Sequence, residues 1–196
     1  MDVQVVIFLY GAAALIGILI LIWFSLMFVA SRFSDSIDES YQNLRRRLSP
    51  LAITGAWGVA TLAMAGSLYF SEIAHYTPCT LCWYQRIAMY PLVLILAIAA
   101  IRRDVAIRLY AIPLALVGVV ISSYHYLLEW FPAIDAGACT VGIPCSQVWF
   151  REFGFVSLPL LALVAFLVVI VLLLIPMADS PDASAVEEDE AAAGGP

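Results

Sequence analysis

Apolar residues run along this chain in five long blocks separated by short polar stretches. The blocks cover residues 3–30, 51–70, 82–101, 107–128 and 155–175. Each is close to or above the ~18–20 residues that an α-helix needs to cross the hydrocarbon core of a bilayer. The pattern predicts five transmembrane helices. Pro113 and Gly118 fall inside the fourth block, where membrane helices tolerate them. No basic residue precedes the first block, and it is too long for the apolar core of a cleaved leader, so it reads as a retained helix.

The expected fold class is therefore an all-α membrane protein. A four-helix transmembrane bundle fills residues 51–176, preceded by one extra N-terminal transmembrane helix over residues 1–30 and a polar linker over residues 31–50. Residues 177–196 are low in complexity and hold six acids and no base, which predicts a disordered acidic tail.

Composition supports the membrane class. The 196 residues are 64% hydrophobic and only 12% charged, against about 25% charged in an ordinary soluble domain. All nine basic residues are arginine, and the acidic tail accounts for the whole net charge of −6, the rest of the chain being neutral with nine arginines against nine acids. No basic patch exists on which nucleic acid could bind.

The arginines also orient the helices. Arg32, Arg45, Arg46 and Arg47 lie in the linker, and Arg102, Arg103 and Arg108 lie in or beside the connection between blocks three and four. If five helices alternate, these seven share one face, which the positive-inside rule makes cytoplasmic. A multi-pass protein of the cell membrane is expected, with its N-terminus outside and its C-terminal tail in the cytoplasm. The loops on either side of residues 82–128 then face outward.

Those two loops carry the candidate chemistry. Cys79 and Cys82 form a C-x-x-C motif just ahead of the third block, while Cys139 and Cys145 stand in the longer loop before the fifth. If a helix starts at Cys82, its unpaired N–H groups and dipole favour a thiolate there. Arg86, one turn on, shares that face at about 5–6 Å between Cβ atoms. It can steady the thiolate or bind an electron-rich carbonyl oxygen, and an ionisable group inside a span points to function by default. The spacing around Gly142 lets Cys139 and Cys145 meet at a disulfide distance of ~4.4–6.8 Å between Cα atoms. The stretch from Trp130 to Cys139 spans roughly 30 Å when extended, enough to bring the second pair to the first. Two dithiol pairs on one face permit thiol–disulfide relay. Structural disulfides stapling the loops, or a four-cysteine zinc site, would use the same residues, and no metal is assigned. His75 and His125 carry little signal alone. Tyr76, Trp83, Tyr84, Tyr124, Tyr126, Trp130 and Trp149 read as an interfacial aromatic belt.

The segment Pro78-Cys79-Thr80-Leu81-Cys82-Trp83-Tyr84-Gln85-Arg86 resembles the signature of the DsbB/BdbC family of membrane thiol–quinone oxidoreductases. Tyr124-His125-Tyr126 and the stretch from Cys145 to Pro159 are similar to the family's histidine segment and to the entry of its last helix. The resemblance covers residues 51–176. It implies reoxidation of a soluble extracytoplasmic DsbA-like thioredoxin-fold oxidase, with two electrons delivered to membrane quinone (ubiquinone or menaquinone). Cys139 would meet the partner, and Cys145 would pass electrons to Cys79. Cys82 would be the thiolate against the quinone, Arg86 would bind the quinone oxygen, and His125 would assist. The vitamin-K-epoxide-reductase-like proteins run a related relay, but Trp-Tyr-Gln-Arg after the C-x-x-C favours DsbB/BdbC. Three features depart from the family pattern: the N-terminal helix and linker, the five-residue gap inside the second pair (as in some shorter members), and the acidic tail.

Overall fold

In a computed structural model the chain is described over residues 2–135, 137, 139 and 143–175. The acidic tail, Pro176 and the turn around Gly142 lie outside the described residues. Five α-helices dominate: α1 (Val3–Ser31), α2 (Asp35–Leu68), α3 (Thr80–Arg102), α4 (Arg108–Trp130) and α5 (Leu158–Leu174). The first four are long and apolar enough to cross a membrane, and α5 is a shorter helix of 17 residues, all apolar.

The element boundaries differ from expectation in two informative places. The polar linker is helical from Asp35 onward and continues through Pro50 into the second span, so α2 reaches 34 residues. Asp35 and Asp38 in its first turn complement the helix dipole there. At its other end α2 passes into a π-helical turn, Tyr69–Ile73. His75 then takes a left-handed conformation with φ 57°, and the chain turns into the first cysteine loop.

Helices α2, α3, α4 and α5 each pack on two neighbours and close into a four-membered bundle, while α1 lies outside it against α2 and α5. Small residues set the spacing inside. Ala56 and Ala60 on α2, and Ala111 and Ala115 on α4, are fully buried beside Leu92, Leu96 and Phe166. Such residues let membrane helices approach closely, since lipid provides no hydrophobic drive for association. Gly118 is a strict case: a Cβ there would sit 2.3 Å from the Phe166 ring. The outer surface is inverted relative to a soluble protein, with Leu94, Leu109 and Val120 about 70% exposed towards the bilayer.

The two ends of the bundle do different work. At one end, the Arg45 guanidinium donates to the carbonyls of Leu174 and Ile175 at 2.9 and 3.1 Å, satisfying the last turn of α5. At the other end, the two cysteine loops fold onto each other. Tyr76 from the first loop stacks on Trp149 from the second at 4.9 Å, with the planes 8° apart, and on Phe70 at 5.9 Å. The second loop re-enters the bundle through a tight turn at Glu152–Phe155, where Phe153 and Gly154 both have positive φ. Two backbone bonds between Glu152 and Val156 close this turn, and it delays the start of α5 to Leu158.

Candidate redox site

Pro78 favours extended backbone in the residue before it, and Cys79 is itself extended, with φ −79° and ψ 175°. The helix can therefore begin only after Cys79, which becomes the N-cap of α3. Its Sγ accepts from the Cys82 backbone N–H at 3.3 Å, as a capping side chain does. This corrects the expectation that α3 starts at Cys82: the sulfur on the helix N-terminus is that of Cys79. Cys82 lies inside the first turn, with its Sγ 2.7 Å from that of Cys79, and the two are not joined in a disulfide.

Cys79 is buried. A hydrogen bond from the Cys82 thiol holds its own thiol far below the ordinary range, down to about 4; burial opposes this, and nearby His125 supports it. The two sulfurs, 2.7 Å apart, are close enough to share one proton, and the Cys82 backbone N–H favours the charge on Cys79.

Cys139 and Cys145 are joined by a disulfide, with Cα atoms 5.7 Å apart, inside the range expected from their spacing. All four cysteines fall in one buried cluster with Leu81 and Leu128. His125, almost fully buried on α4, connects the pairs. Its Nε2 donates to the Cys145 carbonyl at 3.1 Å and lies 3.6 Å from the Cys79 sulfur. Cys79, Cys82 and His125 bring their donor atoms within 4.8 Å of one another. The disulfide removes Cys139 and Cys145 from any four-cysteine metal set.

Two spaces flank the first pair. A small one is bounded by Cys79, Cys82, His125, Glu129 and loop residues Ile143, Pro144 and Gln147. A much larger cavity of about 510 Å³ runs between the helices and reaches Cys82, Gln85 and Arg86 but not Cys79 or His125. Arg86 crosses from α3 to α2, donating to Ser67 Oγ and to the Ser67 carbonyl at 2.9 Å each, and its guanidinium lies 5.2 Å from the Trp83 ring. Those bonds use two of its five N–H donors. The rest of the wall is almost wholly apolar, including Met89, Tyr90, Phe70 and Leu161. His125 therefore lies on the loop side of Cys79, not on the side of the large cavity.

Sequence reading missed several participants. Glu129 belongs to α4, four residues after His125, so both side chains share one helix face. It is buried and accepts a hydrogen bond from Ser157. The i, i+4 spacing of His125 and Glu129 was a usable signal. Gln85 donates to Ser122 at 3.0 Å inside the bundle, placing the conspicuous amide of the motif in a helix-to-helix bond. Tyr76 and Trp149, expected as belt residues, instead stack on each other and line the large cavity.

A dithiol–thiolate pair, a disulfide within the same cluster and a bridging imidazole form the kit for thiol–disulfide exchange. Known proteins agree. Residues 49–176 match the family described as "Disulfide bond formation protein DsbB". The chain is 50% identical over 117 residues to "Disulfide bond formation protein C" of Bacillus subtilis (strain 168), covering 59% of this chain and 85% of that protein. It is 48% identical over 120 residues to "Probable disulfide formation protein C 2" of Bacillus anthracis, covering 61% and 86%. A "Probable disulfide formation protein C" of Halalkalibacterium halodurans is 49% identical over 118 residues, covering 60% and 86%. No solved structure matches the chain. The family match takes in both cysteine pairs, Arg86 and His125 and leaves out α1, and by it this multi-pass membrane oxidoreductase belongs to the DsbB family of disulfide bond formation proteins.

Proposed function

We propose that this protein reoxidises a soluble, extracytoplasmic DsbA-like thioredoxin-fold oxidase and passes two electrons to membrane quinone. One observation carries the reading. The Cys79–Cys82 pair stands between two spaces, one shared with the Cys139–Cys145 loop and one large, apolar and bordered by Arg86. Electrons entering on one side have a place to leave on the other.

The relay balances as follows. A partner thiolate attacks Cys139 Sγ, and Cys145 leaves as a thiolate. The partner's second thiolate then displaces Cys139 and departs as a disulfide. Next, Cys145 attacks Cys79 Sγ of the Cys79–Cys82 disulfide and Cys82 leaves. Cys139 closes back on Cys145 and releases Cys79. The products are a Cys139–Cys145 disulfide and a reduced Cys79/Cys82 pair, the redox states described above. His125 holds the Cys145 backbone next to the Cys79 sulfur during exchange.

The cavity fits a lipid quinone: its walls are apolar, with a cation and a thiol at one end. Arg86 would hold the ring oxygen, and Cys82 would face the ring. The group supplies a two-electron, two-proton acceptor when bound. As the Cys79/Cys82 pair closes to a disulfide, it gives up two electrons and the proton held between its sulfurs, and the second proton that the acceptor needs comes from water. The arginine distribution supports loops outside and the far end of the bundle in the cytoplasm. The extent of the catalytic unit, residues 51–176, follows from the same reading.

The test is quinone reduction by purified protein, driven by a reduced thioredoxin-fold dithiol protein. Turnover that survives Cys82→Ser and Arg86→Ala would remove the assignment.

A further inference from the structure

We infer that α1, the helix beyond the family match, forms the outer wall of the quinone cavity and selects the length of the apolar tail. This rests on the quinone reading above and adds a specificity element to it. The cavity starts at Cys82 and Arg86 inside the bundle and extends to Gly17, Ile20 and Val168. Helix α1 packs on both α2 and α5, so it covers the seam between them, through which the cavity leaves the four-helix body.

The residues α1 contributes are Leu9, Tyr10, Ala13, Ala14, Ile16, Gly17 and Ile20. Their spacing puts them on one face of the helix. From Leu9 to Ile20 that face is about 16 Å long, suited to an extended chain. Its single polar group, the Tyr10 hydroxyl, already donates to the Leu62 carbonyl at 3.1 Å. This stretch can therefore hold hydrocarbon only, while the polar end stays with Arg86. The seating of α1 is specific. A Cβ on Gly17 would sit 2.7 Å from Val164 of α5, and one on Gly66 of α2 would sit 2.5 Å from the Tyr10 ring. The N-terminal half of α1 also touches the loop turn through Phe8 and Phe153, with ring centres 6.0 Å apart.

The experiment compares a tailless quinone with a long-tailed one, using full-length protein and dithiothreitol as donor. Ala13→Phe places a ring into the face that lines the cavity. It should raise the KM for the long-tailed quinone ~10-fold more than that for the tailless ring, the scale of one lost apolar contact. Equal shifts in both, or none, would overturn the role of α1 and leave the quinone reading intact. A wild-type protein that reduces neither quinone would sink both. Should Ala13→Phe fail to accumulate, wild-type protein with a photoreactive group at the quinone's tail end decides. Labelling of the segment at residues 9–20 supports the proposal. Labelling confined to other helices, as expected if α1 merely faces bilayer acyl chains, overturns it.

Discussion

The two cysteine pairs share a chemistry and differ in their support. Cys79 and Cys82 sit on the first turn of a 23-residue helix, with the N-terminal N–H groups, His125 and the helix packing fixing both sulfurs. Cys139 and Cys145 sit in irregular chain, held to the bundle by His125 at one carbonyl and by aromatic stacking nearby. A relay needs this asymmetry. In the proposed relay the Cys79/Cys82 pair keeps its geometry relative to an electron acceptor, while Cys139 and Cys145, buried in this structure, must become accessible to a soluble partner. A fixed helix terminus also stabilises a thiolate, which a loop without aligned N–H groups does less well.

The strongest way to break the comparison is to remove one sulfur of the fixed pair. Cys79→Ser or Cys82→Ser should cut quinone reduction by at least ~10³-fold, as expected when one member of a cooperating set is lost. Cys139→Ser should abolish turnover with the protein partner while dithiothreitol still reduces Cys79/Cys82. If both substitutions silenced both donors equally, the two pairs would not act in series.

Arg86 tests the membrane side. Arg86→Ala should raise the quinone KM by ~10–100-fold, the worth of one or two charge-assisted hydrogen bonds. Arg86→Lys should recover little of this, because a point charge cannot both bridge to Ser67 and present a fork to a second acceptor. An Arg86→Lys enzyme with wild-type KM would leave the guanidinium a structural bond to α2 only.

Much of this was legible in the sequence, for identifiable reasons. Lipid demands uninterrupted apolar runs, so the spans stood out, and thiol chemistry demands cysteines in reach of each other, so both pairs did too. What stayed hidden depended on contacts. The helical state of residues 35–50 could not be seen because a polar helix outside the core has no hydropathy signature. Cys79 as the cap depends on the backbone after Pro78, which shifted the stabilised sulfur by one turn from the expected Cys82. Ser67 as the Arg86 partner is a tertiary contact without a local signal. The wall-forming face of α1 was hidden because a helix that is apolar all round shows no moment.

Electrostatics sharpen the comparison further. With the Cys79 thiol held to about 4, lowering the pH from 8 to 5 leaves the thiolate almost fully populated. An ordinary thiol near ~8.5 would lose roughly ten-fold per pH unit over the same range. Alkylation of the reduced first pair, with the loop disulfide intact, should therefore stay nearly level down to pH 5 and fall only on approach to pH 4. His125→Phe removes one support of the thiolate, so its Cys79 should begin to lose reactivity at higher pH than the wild type. A wild-type profile that already declines between pH 8 and 6 would put the capped thiolate in error.

The smallest expected effect concerns how the loop pair is kept near the helix-borne one. Tyr76 precedes Cys79 by three residues and stacks on Trp149, four residues after Cys145, at 4.9 Å with nearly parallel planes. The stack therefore ties the two loops together a few residues from each reacting sulfur. Aromatic pairs contribute about 0.5–1.5 kcal/mol beyond their buried area, which limits the consequence of losing one. Tyr76→Leu keeps an apolar filler and removes the stacked ring. It should slow electron transfer from the loop pair to Cys79/Cys82 by ~2–10-fold in stopped-flow measurements, and leave direct reduction of Cys79/Cys82 by dithiothreitol close to wild type. The contrast between the two donors is the decisive readout. Equal slowing of both would mean that Tyr76 shapes the fixed pair itself, and that the loop is held in place by His125 and the buried cluster alone.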